Sequence, residues 1–175
     1  MVDDSRWLTG LVRDIADYPN EGVTYRDITP LLANPAGFGR AVDELVSRFG
    51  GVEVDAVLGI EARGFIVGAP VAYRMRAGFV PVRKAGKLPW AVVREEYSLE
   101  YGSDKLEMHR DAIHPDARVL VIDDVLATGG TAAATCRLVE ELGGVVVGLG
   151  FMIEISSLGG RDRLGERPVE SLARY

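Results

Sequence analysis

Cysteine is almost missing from this chain: Cys136 stands alone among 175 residues, so no internal disulfide can form. It sits inside an alanine-rich stretch with no histidine near it in sequence, which suits a small buried core residue better than an activated nucleophile. Long apolar runs are missing too, and none approaches the length of a membrane span. The opening MVDDSRWLTG lacks the shape of a signal peptide, so a cytoplasmic protein is expected. There is no basic excess: the net charge of -6 and pI near 5.0 exclude a general nucleic-acid binder, which needs a basic face. Any anionic ligand must therefore be met by local positive charge. With no repeat, low-complexity tract or linker, residues 1–175 read as one domain long enough for a proper core.

The stretch Val119–Thr131, VLVIDDVLATGGT, organises the rest. Val119 to Ile122 is continuously apolar, as in a strand covered on both faces of a parallel sheet. Asp123 and Asp124 are expected to end that strand. A turn over Ala127, Thr128, Gly129 and Gly130 should follow, with a helix opening near Thr131 and stopped by Gly143 and Gly144. Strand, turn and helix N-terminus together gather unpaired N–H groups and partial positive charge, which makes phosphate the first ligand to propose. The turn has no lysine after its glycines, as a Walker A loop requires, and no GxGxxG. Carboxylates repel phosphate, so Asp123 and Asp124 must face donors or a cation, and a ribose diol above its own phosphate fits that requirement.

Taken in order, Ser5 is placed to cap a first helix with Trp7, Leu8, Leu11, Val12 and Ile15 on one face. Residues 18–32, YPNEGVTYRDITPLL, are broken by Pro19, Gly22 and Pro30, and a long irregular segment inside a compact domain is usually functional. Asn34 and Pro35 read as cap and first turn of a helix that buries Phe38, Ala41, Val42, Leu45, Val46 and Phe49. Val54 to Ile60 is a strand running into Glu61, Ala62, Arg63 and Gly64, a second turn suited to an anion because the arginine fork holds two oxygens at once. A strand over Phe79–Val82 ends at Arg83, Lys84 and Lys87; by spacing alone these cations fit a solvated loop as well as a site. Trp90–Tyr97 reads as an extended mobile excursion, and the alternation on either side of Gly102 and Ser103 as a hairpin. Val145–Met152 is a further buried strand, and the tail turns through Gly159 and Gly160.

The pieces YPNEGVTYRDITPLL, GIEARGF, RKAGKLP, YSLEYG, VIDDVLATGGT and IEISSLGGR, in this order along nearly the whole chain, resemble the adenine phosphoribosyltransferase family of type I phosphoribosyltransferases. The chain departs from that family's pattern at Glu21, where proline is common, at Tyr25, where phenylalanine is common, and at Trp90. The resemblance implies an α/β fold, a mainly parallel twisted sheet with helices on both faces. To it are added a small N-terminal hood over residues 1–33 and a mobile loop over about 84–101. It implies transfer of ribose 5-phosphate from phosphoribosyl pyrophosphate (PRPP) to adenine, giving AMP and pyrophosphate, with Mg²⁺ bound mainly through PRPP and water oxygens.

By the same resemblance Ala127, Thr128, Gly129, Gly130 and Thr131 hold the 5-phosphate, and Asp123 and Asp124 hold the ribose hydroxyls. Arg63, Arg83, Lys84 and Lys87 serve pyrophosphate, while Thr24, Tyr25, Arg26 and Ile155 enclose adenine. Glu100 handles the proton on the base; its spacing beside Leu99 and Tyr101 would otherwise make it a solvent-facing strand residue. A non-proline cis peptide within Glu61–Arg63 and a homodimer are implied as well. A 6-oxopurine phosphoribosyltransferase, differing in the hood, and a PRPP-sensing regulator that binds without turnover are the alternatives.

Overall fold

The computed structural model describes residues 5–98 and 103–175. A short helix α1 (Arg6–Thr9) is followed by strands β1 (Arg13–Ile15) and β2 (Tyr25–Asp27), helices α2 (Thr29–Ala33) and α3 (Pro35–Arg48), and strand β3 (Ala56–Ile60). Then come α4 (Arg63–Met75), β4 (Gly78–Lys84), β5 (Val92–Ser98), β6 (Ser103–His109), β7 (Arg118–Leu126), α5 (Gly130–Glu141), β8 (Val145–Glu154) and β9 (Val169–Arg174). Seven strands form one sheet in the order β5-β6-β4-β3-β7-β8-β9. Its central pairs β4/β3, β3/β7, β7/β8 and β8/β9 are parallel, and β5 and β6 join one side as an antiparallel hairpin.

The apolar runs are continuous because both faces of the sheet are covered. In β3 and β7, Leu58, Ile60, Val119 and Val121 pack toward Ala134, Cys136, Leu138 and Val139 of α5. The alternate residues Val57, Leu120 and Ile122 join Leu8, Leu45, Val67 and Val71 beneath α1, α3 and α4 on the other face. Asn34 caps α3 as its sequence suggests, its Oδ1 accepting from Gly37 N at 2.9 Å. Cys136 is buried in the first of these clusters, and burial pushes its thiol up to about 11.

Three expectations need correcting. The first helix is one turn long and Ser5 makes no side-chain cap; beyond Gly10 the chain extends, and Arg13–Ile15 pairs antiparallel with Tyr25–Asp27 inside the segment expected to be irregular. Within Trp90–Tyr97, expected to be an extended excursion ahead of the hairpin, strand begins at Val92, and all seven residues of Val92–Ser98 pair with β6, so the hairpin begins earlier than its alternation suggests. The aspartates do not end β7: Asp123 and Val125 still pair with Phe151 and Ile153, because the long neighbour β8 offers backbone partners out to Glu154. Among the described residues, no helix is long and apolar enough to cross a membrane.

Candidate active site

The carboxyl ends of β3, β4, β7 and β8 open onto one cavity of about 730 Å³, where open parallel sheets place their ligands. β7 brings Asp123 and Asp124 to its floor, followed by Ala127 and, at the start of α5, Thr131. β3 delivers Glu61, Ala62 and Arg63, with a cis peptide between Glu61 and Ala62 as the resemblance implies. Lys84 comes from the end of β4, and Ile155 follows β8. Thr24, Tyr25 and Arg26 add a further part of the wall, with the Tyr25 ring edge-on to Tyr18 at 5.3 Å and the Arg63 guanidinium 5.7 Å from its centroid.

The turn before α5 is built by close backbone approach. Gly129 has φ +76°, and a Cβ there would lie 2.2 Å from the carbonyl oxygen of Gly160. A Cβ on Gly160 would in turn lie 2.1 Å from the oxygen of Ala127. Two glycine motifs far apart in the chain are thus matched to each other, and the bareness of Gly129 serves this contact. Glu154 anchors the tail that carries Gly160: Arg161 donates to both its oxygens, at 3.0 and 2.6 Å, and Ser171 Oγ donates at 2.5 Å. The Arg161 hydrogen bond, outweighing burial, holds this carboxyl down at about 2.

The charges are arranged as pairs. Arg63 Nε donates to Asp124 Oδ2, so the arginine expected at pyrophosphate is joined to an aspartate expected at the ribose. Burial opposes the Arg63 charge, yet the hydrogen bond and charge of Asp124 outweigh it and raise its pKa. Asp123 Oδ1 accepts from Asp124 N at 2.9 Å, and burial first, the neighbouring Asp124 charge second, push its carboxyl well above the usual range. Lys84 Nζ pairs with Asp104 at 2.9 Å, beneath Tyr97.

Arg83 and Lys87 do not line this cavity. Arg83 Nε donates to Glu61 at 3.3 Å, Lys87 Nζ donates to the same carboxylate, and Lys84 N donates to it at 3.0 Å. Of the turn, Ala127 and Thr131 line the cavity, and Thr128, Gly129 and Gly130 connect them. Glu100 lies outside the described residues, as does Tyr101. Sequence reasoning passed over Glu61, Tyr97 and Tyr175 as site residues, all of them in the wall. Glu61 stood in the open, a carboxylate closing a strand next to Arg63; for Tyr175 no local signal exists.

Residues 27–166 match the family described as phosphoribosyl transferase domain. The adenine phosphoribosyltransferase of Roseiflexus sp. (strain RS-1) is 54% identical over 96% of this chain and 98% of its own. That of Acidothermus cellulolyticus is 57% identical over 93% and 92%. The crystal structure of adenine phosphoribosyltransferase from Rhodothermus marinus superposes with a TM-score of 0.93 at 49% identity, covering 98% of both chains. The Saccharomyces cerevisiae enzyme, solved with an imino-altritol bisphosphate and adenine, gives 0.92 at 37% identity over 98% of this chain and 99% of that one.

Proposed function

The chain belongs to the adenine phosphoribosyltransferases, pentosyltransferases that join PRPP and adenine into AMP and pyrophosphate, and we propose that its cavity divides that work among the residues just placed. One observation carries the division: the phosphate-suited turn, the aspartate pair and the Arg63 turn open side by side onto one space that Thr24–Arg26 also line. The backbone N–H groups of Ala127–Thr131, at the N-terminus of α5, take the 5-phosphate. Asp123 and Asp124 orient the ribose hydroxyls. Arg63 and Lys84 meet pyrophosphate, and Arg83 and Lys87 join them by exchanging Glu61 for the ligand. Tyr25 and Ile155 enclose the base.

Departure of pyrophosphate leaves positive charge on the ribosyl centre, and the carboxylates below it favour that charge over the neutral ground state. Glu100 holds a proton on the base nitrogen opposite the one that attacks, stabilising the charge that spreads over the ring. Among the described residues no cluster of His, Cys, Asp or Glu could hold a metal ion by itself, so Mg²⁺, the cofactor proposed, would be held mainly by PRPP and water oxygens. When bound with PRPP it neutralises the leaving group. Closure of the segment around 84–101 excludes water, which would otherwise take the ribosyl group.

A cytoplasmic homodimer is proposed too, on changed grounds. The apolar face of α1 is spent on its own domain, with Leu8 fully buried; instead Ile66 and Tyr73, 47% and 83% exposed and about two turns apart on α4, are the proposed face for a second copy. A monomer mass by light scattering would refute this. The activity is tested by following AMP formation from PRPP with adenine or hypoxanthine, alongside calorimetric titration with PRPP. Adenine-dependent turnover is expected; PRPP binding without turnover would favour a regulator, and comparable use of hypoxanthine a 6-oxopurine enzyme.

A further inference from the structure

Tyr175 lines the cavity, and the division of work above gives it no part. It follows β9 and is held on both sides of Ile155: its N–H donates to Glu154 O at 2.9 Å, and its carbonyl accepts from Ser156 N at 2.9 Å. The backbone of Tyr175 is thereby fixed beside Ile155, a residue expected on the base. Over the Tyr175 ring lies the guanidinium of Arg26, with Cζ 4.1 Å from the ring centroid. Arg26 also forms an ion pair with Asp14, its register partner across β1 and β2. One edge of the guanidinium is therefore on a carboxylate and one face on an aromatic ring, in the wall that Thr24 and Tyr25 share.

The chemistry of the base gives this arrangement a purpose. A guanidinium is a donor only, with fixed positive charge. Free in a purine pocket it would attract an exocyclic carbonyl at position 6, and it has nothing to offer the amino group that adenine carries there. Tied to Asp14 and covered by Tyr175, its charge is neutralised and its freedom to turn toward the base is lost. We infer that Asp14 and Tyr175 clamp Arg26, and that Tyr175 is thereby a specificity-determining residue, keeping the guanidinium from a 6-oxo base so that the 6-amino base is preferred. The inference rests on the adenine-transfer reading and adds to it the means of choosing the base.

The test measures kcat/KM for adenine and for hypoxanthine, and KM for PRPP, in the unmodified protein and in Tyr175→Leu, Tyr175→Phe and Asp14→Asn. Tyr175→Leu removes the ring and should lower the adenine-to-hypoxanthine ratio by roughly three- to thirtyfold, the span of a cation–π contact between exposed and desolvated limits. Tyr175→Phe keeps the ring and should restore the ratio. Asp14→Asn releases the other side of the guanidinium, on an exposed strand where folding is not at stake, and should lower the ratio in the same direction. KM for PRPP should stay within about twofold throughout, since none of these residues is given a part in holding PRPP. An unchanged ratio in Tyr175→Leu or Asp14→Asn would overturn the clamp, as would a parallel rise in KM for PRPP, the mark of a merely structural residue. Loss of adenine preference in the unmodified protein would instead overturn the base assignment, so the two failures are told apart.

Discussion

Replacing Gly129 with alanine adds one carbon to a turn that meets the Gly160 carbonyl oxygen at 2.2 Å and that already has φ +76°. Two costs follow. A Cβ in the left-handed region costs roughly 1–2 kcal/mol. Forcing an atom into packed surroundings costs about 1–3 kcal/mol more. Two companion variants separate them: Gly51→Ala carries the conformational cost alone, with φ +90° and nothing within 4 Å, and Gly160→Ala carries the contact alone, against the Ala127 oxygen at 2.1 Å. In a domain of this size 1 kcal/mol moves Tm by about 2–4 °C. Thermal unfolding should therefore place Gly51→Ala about 2–8 °C below the unmodified protein and Gly129→Ala about 4–20 °C below it. Loss of PRPP binding in a Gly129 variant would then report a displaced tail as much as a blocked phosphate. Equal Tm values for Gly51→Ala and Gly129→Ala would refute the reasoning.

Other outcomes follow from single residues. Glu154, normally near 4.5, is held at about 2 when folded, so its stabilisation is complete above about pH 4.5 and disappears as pH falls through about 2. That gap is worth on the order of 3 kcal/mol, and Glu154→Gln should flatten the pH dependence of unfolding across this window; an unaltered slope would remove the assignment. Cys136, with its thiol pushed up to about 11 by burial, should resist thiol reagents at neutral pH until the protein is denatured, and rapid native labelling would contradict its burial. Glu100→Gln should lower kcat by about 10²–10⁴ while PRPP titrates normally; near-normal kcat would end its proton-handling role.

The features that the sequence determined by itself are those carried by neighbouring residues. The apolar run before Asp123, the Asn34 cap and the paired glycines of ATGGT each state a local backbone preference, and the structure keeps them all. Separated motifs in one order identified the family, because each is a short piece of backbone chemistry readable without its partners. Tertiary structure decided what depends on partners from elsewhere. β7 runs past its aspartates because β8 continues beside it, and Arg13–Ile15 extends because β2 returns to meet it. Arg83 and Lys87 turn to Glu61, a carboxylate on a different strand end. Gly129 is bare because Gly160 presses on it, and Tyr175 reaches Arg26 because β9 lies next to β8. Hydrogen-bond ladders and ion pairs act over a few ångströms of space, whatever their separation along the chain, so such pairings take form only once the sheet is assembled.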